Sequence, residues 1–291
     1  MRRHPDWLKV RIGSGEKYSN VKTLLRSAKL HTICEEARCP NIAECFGSGT
    51  AVFLILGTLC TRNCRYCNVT HGAPKSLNDQ EAQHIADSVK TLGLKYVVVT
   101  SVTRDDLQDG GASVFSTTVQ AIRQANPSCA IELLIPDFKG DVNALQKVID
   151  AAPDVINHNI EVVEDLFPFM RPQGSYQCSL GVLRTLKKKT KRIPTKSGLM
   201  VGLGESIEQV LATIRDLKAA GVDFLTIGQY LQPTRNHATV KKYYTPEEFE
   251  ELKGKVLENW IISEFKKFAE HQCIHLKFNI PARKQVRQIR C

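Results

Sequence analysis

Short apolar runs rich in β-branched residues recur along this chain between positions 52 and 230, separated by stretches of helical length. They are VFLILG (52–57), YVVVTS (96–101), AIELLI (130–135), DVINHN (154–159), SGLMVGL (197–203) and FLTIGQY (224–230). Five read as continuous apolar segments, as parallel strands covered on both faces do, and DVINHN is the polar exception. Between them, 79–92 has acidic residues at its start and stops at Gly93. A second helix starts at Ser206 with Gln209 three residues on, a capping-box arrangement, and stops at Gly221. Alternating β and α elements predict βαβ units around a parallel sheet. No glycine-rich dinucleotide fingerprint follows the first strand, so six units favour an α/β fold of partial (β/α)6 TIM-type barrel form. In such a barrel the chemistry sits at the carboxyl ends of the strands. GLGES at 202–206 resembles a phosphate loop only weakly and is read as a structural turn.

The flanks read differently. Residues 1–50 form an N-terminal extension bearing Cys34, Cys39 and Cys45, residues 51–252 the barrel, and residues 253–291 a basic C-terminal tail. In that tail Leu257, Ile261, Phe265 and Phe268 fall on one helical face, which predicts an amphipathic helix packed on the barrel.

Composition adds limits. With 42% hydrophobic and 24% charged residues, and no apolar run near the 18 or so that a membrane helix needs, a soluble protein with no membrane partner is expected. The basic N-terminus lacks a secretory apolar core, so a cytoplasmic location is expected, and a monomer is the default. A net charge of +10 favours an acidic partner without choosing one. The basic runs at 187–192 and 283–290 lack interleaved aromatics and read as solvated faces.

Six of the ten cysteines form two triplets, Cys34/Cys39/Cys45 and Cys60/Cys64/Cys67. Zinc is one reading: Cys60, Cys64 and Cys67 could add His71, and His31 could join the upstream triplet, giving four-ligand sites in a zinc-stabilised binding protein. The other is an iron–sulfur cluster held by three thiolates, which leaves one iron for a small molecule. Cys129, Cys178 and His158 read as packing residues.

The loop LCTRNCRYCNV, with C-x3-C-x2-C spacing after the first barrel strand, resembles the radical S-adenosylmethionine superfamily. Within it, CEEARCPNIAEC, VVVTSVTRDDLQDGGA (97–112), NHNIE (157–161), KSGLMVGLGE (196–205) and IGQYLQPT (227–234) resemble the lipoyl synthase family, over about 6–252. The resemblance implies two [4Fe–4S] clusters and S-adenosylmethionine. Cys60, Cys64 and Cys67 would then hold the cluster that generates a 5′-deoxyadenosyl radical, and Cys34, Cys39 and Cys45 the auxiliary cluster consumed as sulfur donor. Two sulfurs would enter at C6 and C8 of an octanoyl group on a lipoyl carrier domain or glycine cleavage H protein. A ferredoxin or flavodoxin would supply electrons and an iron–sulfur carrier would supply clusters. Complementary charge with an acidic carrier then accounts for the basic surplus without nucleic acid. Thr100, Ser101, Asn159 and Glu161 end strands and either reach the cofactor or cap those ends; Arg171 either meets a carboxylate or is a surface arginine.

The chain departs from the family at its end, where the Arg-Ser-Ser-Tyr motif supplying a serine ligand to the auxiliary cluster is missing. The only serine after 252 is Ser263, and Cys273 or Cys291 would be substitute ligands. Retained S-adenosylmethionine cleavage with weak or absent sulfur insertion is expected. A tRNA methylthiotransferase is the nearest alternative, but its first three cysteines are spread over a separate domain; biotin synthase lacks the upstream triplet.

Overall fold

A computed structural model of the chain describes residues 5–8, 16–27, 31–36, 42, 52–261 and 275–279. The described residues form one eight-stranded sheet in sequential order. Its strands are β1 (His31–Thr32), β2 (Val52–Ile55), β3 (Tyr96–Ser101), β4 (Ala130–Leu134), β5 (Val155–Asn157), β6 (Thr195–Val201), β7 (Phe224–Gln229) and β8 (His275–Asn279). β2 to β8 are parallel, while β1 lies antiparallel on β2 with His31 opposite Leu54. The helices are α1 (Glu16–Ser27), α2 (Ile33–Glu36), α3 (Glu81–Thr91), α4 (Ala112–Ala125), α5 (Val142–Asp150), α6 (Phe167–Met170), α7 (Tyr176–Lys189), α8 (Ile207–Ala219) and α9 (Pro246–Ile261). A helix between consecutive parallel strands returns the chain to the same end of the sheet, so the loops after the strands gather at one mouth.

Side-chain alternation divides the sheet's two faces. Val97, Val99, Ile131, Leu133 and Ile156 join Val89, Phe115, Val119, Ile122 and Leu145 in one fully buried cluster between sheet and helices. Leu199, Val201, Leu225 and Ile227 join Leu183, Val210 and Leu217 in a second. Each such aliphatic side chain contributes roughly 1.5–3 kcal/mol on burial. The intervening residues face the barrel interior, and here DVINHN finds its reason: Asn157 donates from Nδ2 to Glu132 Oε1 at 2.9 Å. Glu132 also receives Lys196 Nζ at 2.8 Å and the Tyr96 hydroxyl. The polar strand thus satisfies a buried carboxylate that would otherwise be costly.

Both helix signals hold. Ser206 caps α8 by accepting from Gln209 N, and the Gln209 side chain accepts from Ser206 N, completing the capping box. GLGES is a turn closed on itself: the Glu205 carboxylate accepts from the amides of Gly202 at 2.5 Å and Leu203 at 2.9 Å. Those amides are therefore spent on the chain's own acid. Gly202 has φ +103°, and a Cβ there would stand 2.6 Å from the Lys242 carbonyl oxygen.

The tail holds a strand as well as a helix. α9 begins with a second reciprocal cap, Thr245 N to Glu248 Oε2 at 2.8 Å and Glu248 N to Thr245 Oγ1 at 3.2 Å. It carries Leu257 and Ile261 and runs through 252–253, where the family resemblance ends; Phe265 and Phe268 lie outside the described residues. β8 then adds a parallel strand to β7, with Phe224 opposite His275 and Gly228 opposite Asn279. β8 takes up the free backbone groups at the β7 edge, because an unpaired edge is a template for any extended segment.

Candidate active site

The loop carrying Cys60, Cys64 and Cys67 leaves the carboxyl end of β2 and folds back on itself, with Cys60 N donating to Thr70 O and Gly72 N to Cys60 O, both at 2.9 Å. It is docked on the loop after β3 through Thr61, whose amide and hydroxyl both donate to Thr103 O at 3.0 Å. Cys60 Sγ accepts from the amides of Arg62 at 3.4 Å and Thr103 at 3.3 Å.

Arg62, between the first two cysteines, is buried and is the fastener of this loop. Its Nε and Nη2 donate to Asp105 at 2.7 and 3.0 Å, and Nη1 and Nη2 to Asp137 at 2.5 and 2.8 Å. One guanidinium thereby joins the cysteine loop to the loops after β3 and β4 in the forked geometry that arginine alone provides. Burial opposes the charge on Arg62, yet the hydrogen bonds of Asp105 and Asp137 outweigh it and hold the group above its ordinary range. Burial likewise opposes the Asp137 carboxylate, but the bonds and charge of Arg62 bring it down to about 2.

Arg171 follows α6 and is buried rather than lying on the surface. Its Nη2 stands 3.5 Å from Asp137 Oδ2 and its guanidinium 5.1 Å from the centre of the Phe167 ring, while Nε has no partner among the described residues. Burial raises the Cys64 thiol, with the positive charge of Arg171 acting against the rise and the negative charge of Glu161 adding to it. Cys67 is pushed up to about 12, again chiefly by burial. Glu161 has φ +72°, an uncommon value for a residue with a side chain, of the kind found where function demands it. Asn159 Nδ2 donates to Glu161 Oε1 at 3.4 Å, and Gly198 leaves it room, since a Cβ there would meet Asn159 Oδ1 at 2.6 Å.

The structure brings Cys60, Cys64, Cys67, Glu161 and Arg171 into one electrostatic neighbourhood. Thr100 and Ser101 close β3, with the Thr100 hydroxyl donating to Leu134 O at 2.9 Å and Ser101 Oγ buried without a partner among the described residues. Of the upstream triplet, Cys34 is buried at the start of α2, next to β1; Cys39 and Cys45 lie outside the described residues. The second cysteine loop adjoins α2, which carries Cys34, because Asn68 Nδ2, one residue past Cys67, donates to Glu36 O at 2.8 Å. The basic run at 187–192 sits at the end of α7 before β6, at the amino end of the parallel strands and so at the end opposite the cysteine loop, and Lys187 is paired with Asp223 at 2.6 Å. Those lysines therefore do not line the mouth.

His158 is buried beside this network, and its Nδ1 meets Ile135 O at 2.9 Å. Burial, then the charge of Arg171, lowers it to about 4. Between pH 6.5 and 4 the unfolded chain therefore takes up a proton that the native protein does not, so stability is full above about pH 7 and falls as pH drops through that window. At 1.36 kcal/mol per pH unit the loss is about 3 kcal/mol. Denaturant midpoints measured anaerobically from pH 7 to 4 should fall less steeply for His158→Gln than for the parent; parallel curves would contradict the assignment.

Residues 54–217 match the model of the radical SAM superfamily, and residues 1–39 that of the N-terminal domain of lipoyl synthase of the radical SAM family. Among solved structures, methylornithine synthase superposes with a TM-score of 0.55 at 16% identity, over 86% of this chain and 74% of that one. A maturase of the [FeFe]-hydrogenase gives 0.56 at 15% identity, over 88% and 56%. An open parallel barrel whose first strand delivers three thiols to the mouth is the architecture of the radical S-adenosylmethionine enzymes, and this chain is one of them. The lipoyl synthase of Rubrobacter xylanophilus is 54% identical over 254 residues, 87% of this chain and 79% of that protein. That of Shouchella clausii is 54% identical over 252 residues, 86% and 82%. The chain belongs to the lipoyl synthase family, whose members use two [4Fe–4S] clusters and S-adenosylmethionine.

The residues present fit a cluster at the second triplet. Cys60, Cys64 and Cys67 carry free thiols on one loop. Burial disfavours ionisation of Cys64 and Cys67, which is offset when a thiolate binds metal. Among the described residues no three His, Cys, Asp or Glu side chains gather as one ion requires, and His71 is exposed. A four-iron cluster takes each thiolate on a separate iron, so it does not need the three to converge on one ion.

Proposed function

We propose that this chain acts as a lipoyl synthase in which Cys60, Cys64 and Cys67 hold the radical-generating cluster and Cys34, Cys39 and Cys45 the auxiliary one. When bound, the two clusters with S-adenosylmethionine supply radical hydrogen abstraction and sulfur for C6 and C8 of a protein-bound octanoyl group. The observation that supports this assignment is the contact between the second cysteine loop and α2, the helix of Cys34, through Asn68 Nδ2 and Glu36 O.

The chain's own residues then have distinct tasks. Arg62 fixes the cysteine loop to the mouth, and the buried Arg171, whose Nε has no partner among the described residues, offers a donor to a carboxylate of S-adenosylmethionine. Glu161 and Asn159 present a carboxylate and an amide to the cofactor's ammonium or ribose hydroxyls; Thr100 and Ser101 border the same space. The carrier would be an octanoylated lipoyl domain or glycine cleavage H protein, the reductant a ferredoxin or flavodoxin, and clusters would come from an iron–sulfur carrier. A cytoplasmic site of action accords with these partners; among the described residues no helix is long and apolar enough to cross a membrane. Without the family serine, sulfur insertion is impaired while S-adenosylmethionine cleavage is kept.

Separate substitutions test the division of labour. Cys64→Ala should abolish 5′-deoxyadenosine formation, whereas Cys39→Ala should leave it and lower iron content by about half, one of two four-iron clusters. Retained deoxyadenosine formation in Cys64→Ala with loss in Cys39→Ala would reverse the assignment.

A further inference from the structure

The segment after β7 forms a strap across the Cys64–Cys67 turn. Ala238 N donates to Arg65 O at 2.8 Å, and His237 Nε2 lies 3.0 Å from Cys67 O. A carbonyl oxygen only accepts, so Nε2 carries the proton of that bond. The other ring nitrogen, Nδ1, is 2.8 Å from Thr234 Oγ1, and together the two contacts fix the ring's rotation. The strap is itself braced, by Tyr230 hydroxyl to Ala238 O at 2.8 Å and by Gln232 Nε2 to His237 O at 3.0 Å. On its far side the same turn is held by Arg65 N donating to Met170 O at 2.9 Å.

We infer that His237 is a positioning residue for the cluster held by Cys60, Cys64 and Cys67, acting through the Cys67 carbonyl; the inference rests on the assignment of that cluster made above. Apart from that carbonyl, Cys67 is held only by neighbours within the loop, its amide reaching Cys64 O at 3.1 Å and its thiol meeting the Val69 amide, among the described residues. A donor from 170 positions away in sequence therefore sets where its peptide, and with it the thiolate, stands. Partners that orient metal ligands in this way are worth about 10–100-fold in metal retention.

The test uses the full chain, reconstituted anaerobically and reduced, and follows the electron paramagnetic resonance signal that changes on adding S-adenosylmethionine. His237→Ala should lose that signal to an iron chelator about tenfold faster than the parent, with an altered line shape and unchanged far-ultraviolet dichroism. His237→Gln, whose side-chain amide donates from near the position of Nε2, should restore both rate and line shape. Equal chelation rates and spectra for parent and His237→Ala would overturn the inference, as would failure of His237→Gln to rescue. A parent with no signal responsive to S-adenosylmethionine would overturn the inference together with the cluster assignment beneath it.

Discussion

Given S-adenosylmethionine, a strong reductant and an octanoylated carrier peptide without oxygen, the protein is expected to release 5′-deoxyadenosine while making little lipoyl product. The expectation follows from the proposal above, that residues 253–291 offer no counterpart to the Arg-Ser-Ser-Tyr serine. The loop of Cys60, Cys64 and Cys67 is fastened through Arg62 to Asp137, which Arg171 also approaches. A lost or replaced ligand at the upstream triplet should cost at least the tenfold seen when mere supporting groups of a metal site are removed. A thiolate from Cys273 or Cys291 in its place would bind iron more firmly than a hydroxyl and so hinder the iron loss that sulfur donation requires. Chromatographic quantitation of both products decides the matter: lipoyl product in proportion to deoxyadenosine would refute the expectation.

The second large effect is expected at Arg62. Arg62→Met leaves Asp137, only 2% exposed, without its main counter-charge. Removing one member of such a buried ion pair costs about 3–5 kcal/mol. The loss should appear as a lower denaturant midpoint and as iron released from the second triplet, because the same bonds fix its loop. Arg62→Lys should recover little, since a single ammonium does not reproduce four forked bonds to two carboxylates. Adding Asp137→Asn to Arg62→Met should regain part of the midpoint by removing the stranded charge. An unchanged midpoint in Arg62→Met would show that the network does not hold the loop.

Most of the barrel was legible because parallel strands covered on both faces write themselves as apolar runs, and all six expected runs coincide with β2 to β7. β1 escaped notice because two residues carry no periodicity, and β8 because HLKFN becomes a strand only where β7 offers an edge. The cap at Ser206 could be read from its local spacing, and TPEE at 245–248 carries the same signal for α9. The cysteines were equally visible, being contiguous motifs. Their supports were not: Asp105 and Asp137 reach Arg62 from 43 and 75 positions away, and His237 reaches Cys67 from 170. One signal was present in the arginine itself, a cation placed inside a cysteine loop, which implies a carboxylate brought to it by the fold. Arg171 had two readings in the sequence and only burial distinguishes them.

Iron and acid-labile sulfide counted per chain after anaerobic reconstitution test the central claim most directly. Two cysteine triplets serving two clusters predict about eight of each, and about four for a Cys34/Cys39/Cys45→Ala variant that still cleaves S-adenosylmethionine. A parent protein that saturates at about four, or that binds zinc in place of iron and sulfide, would contradict it.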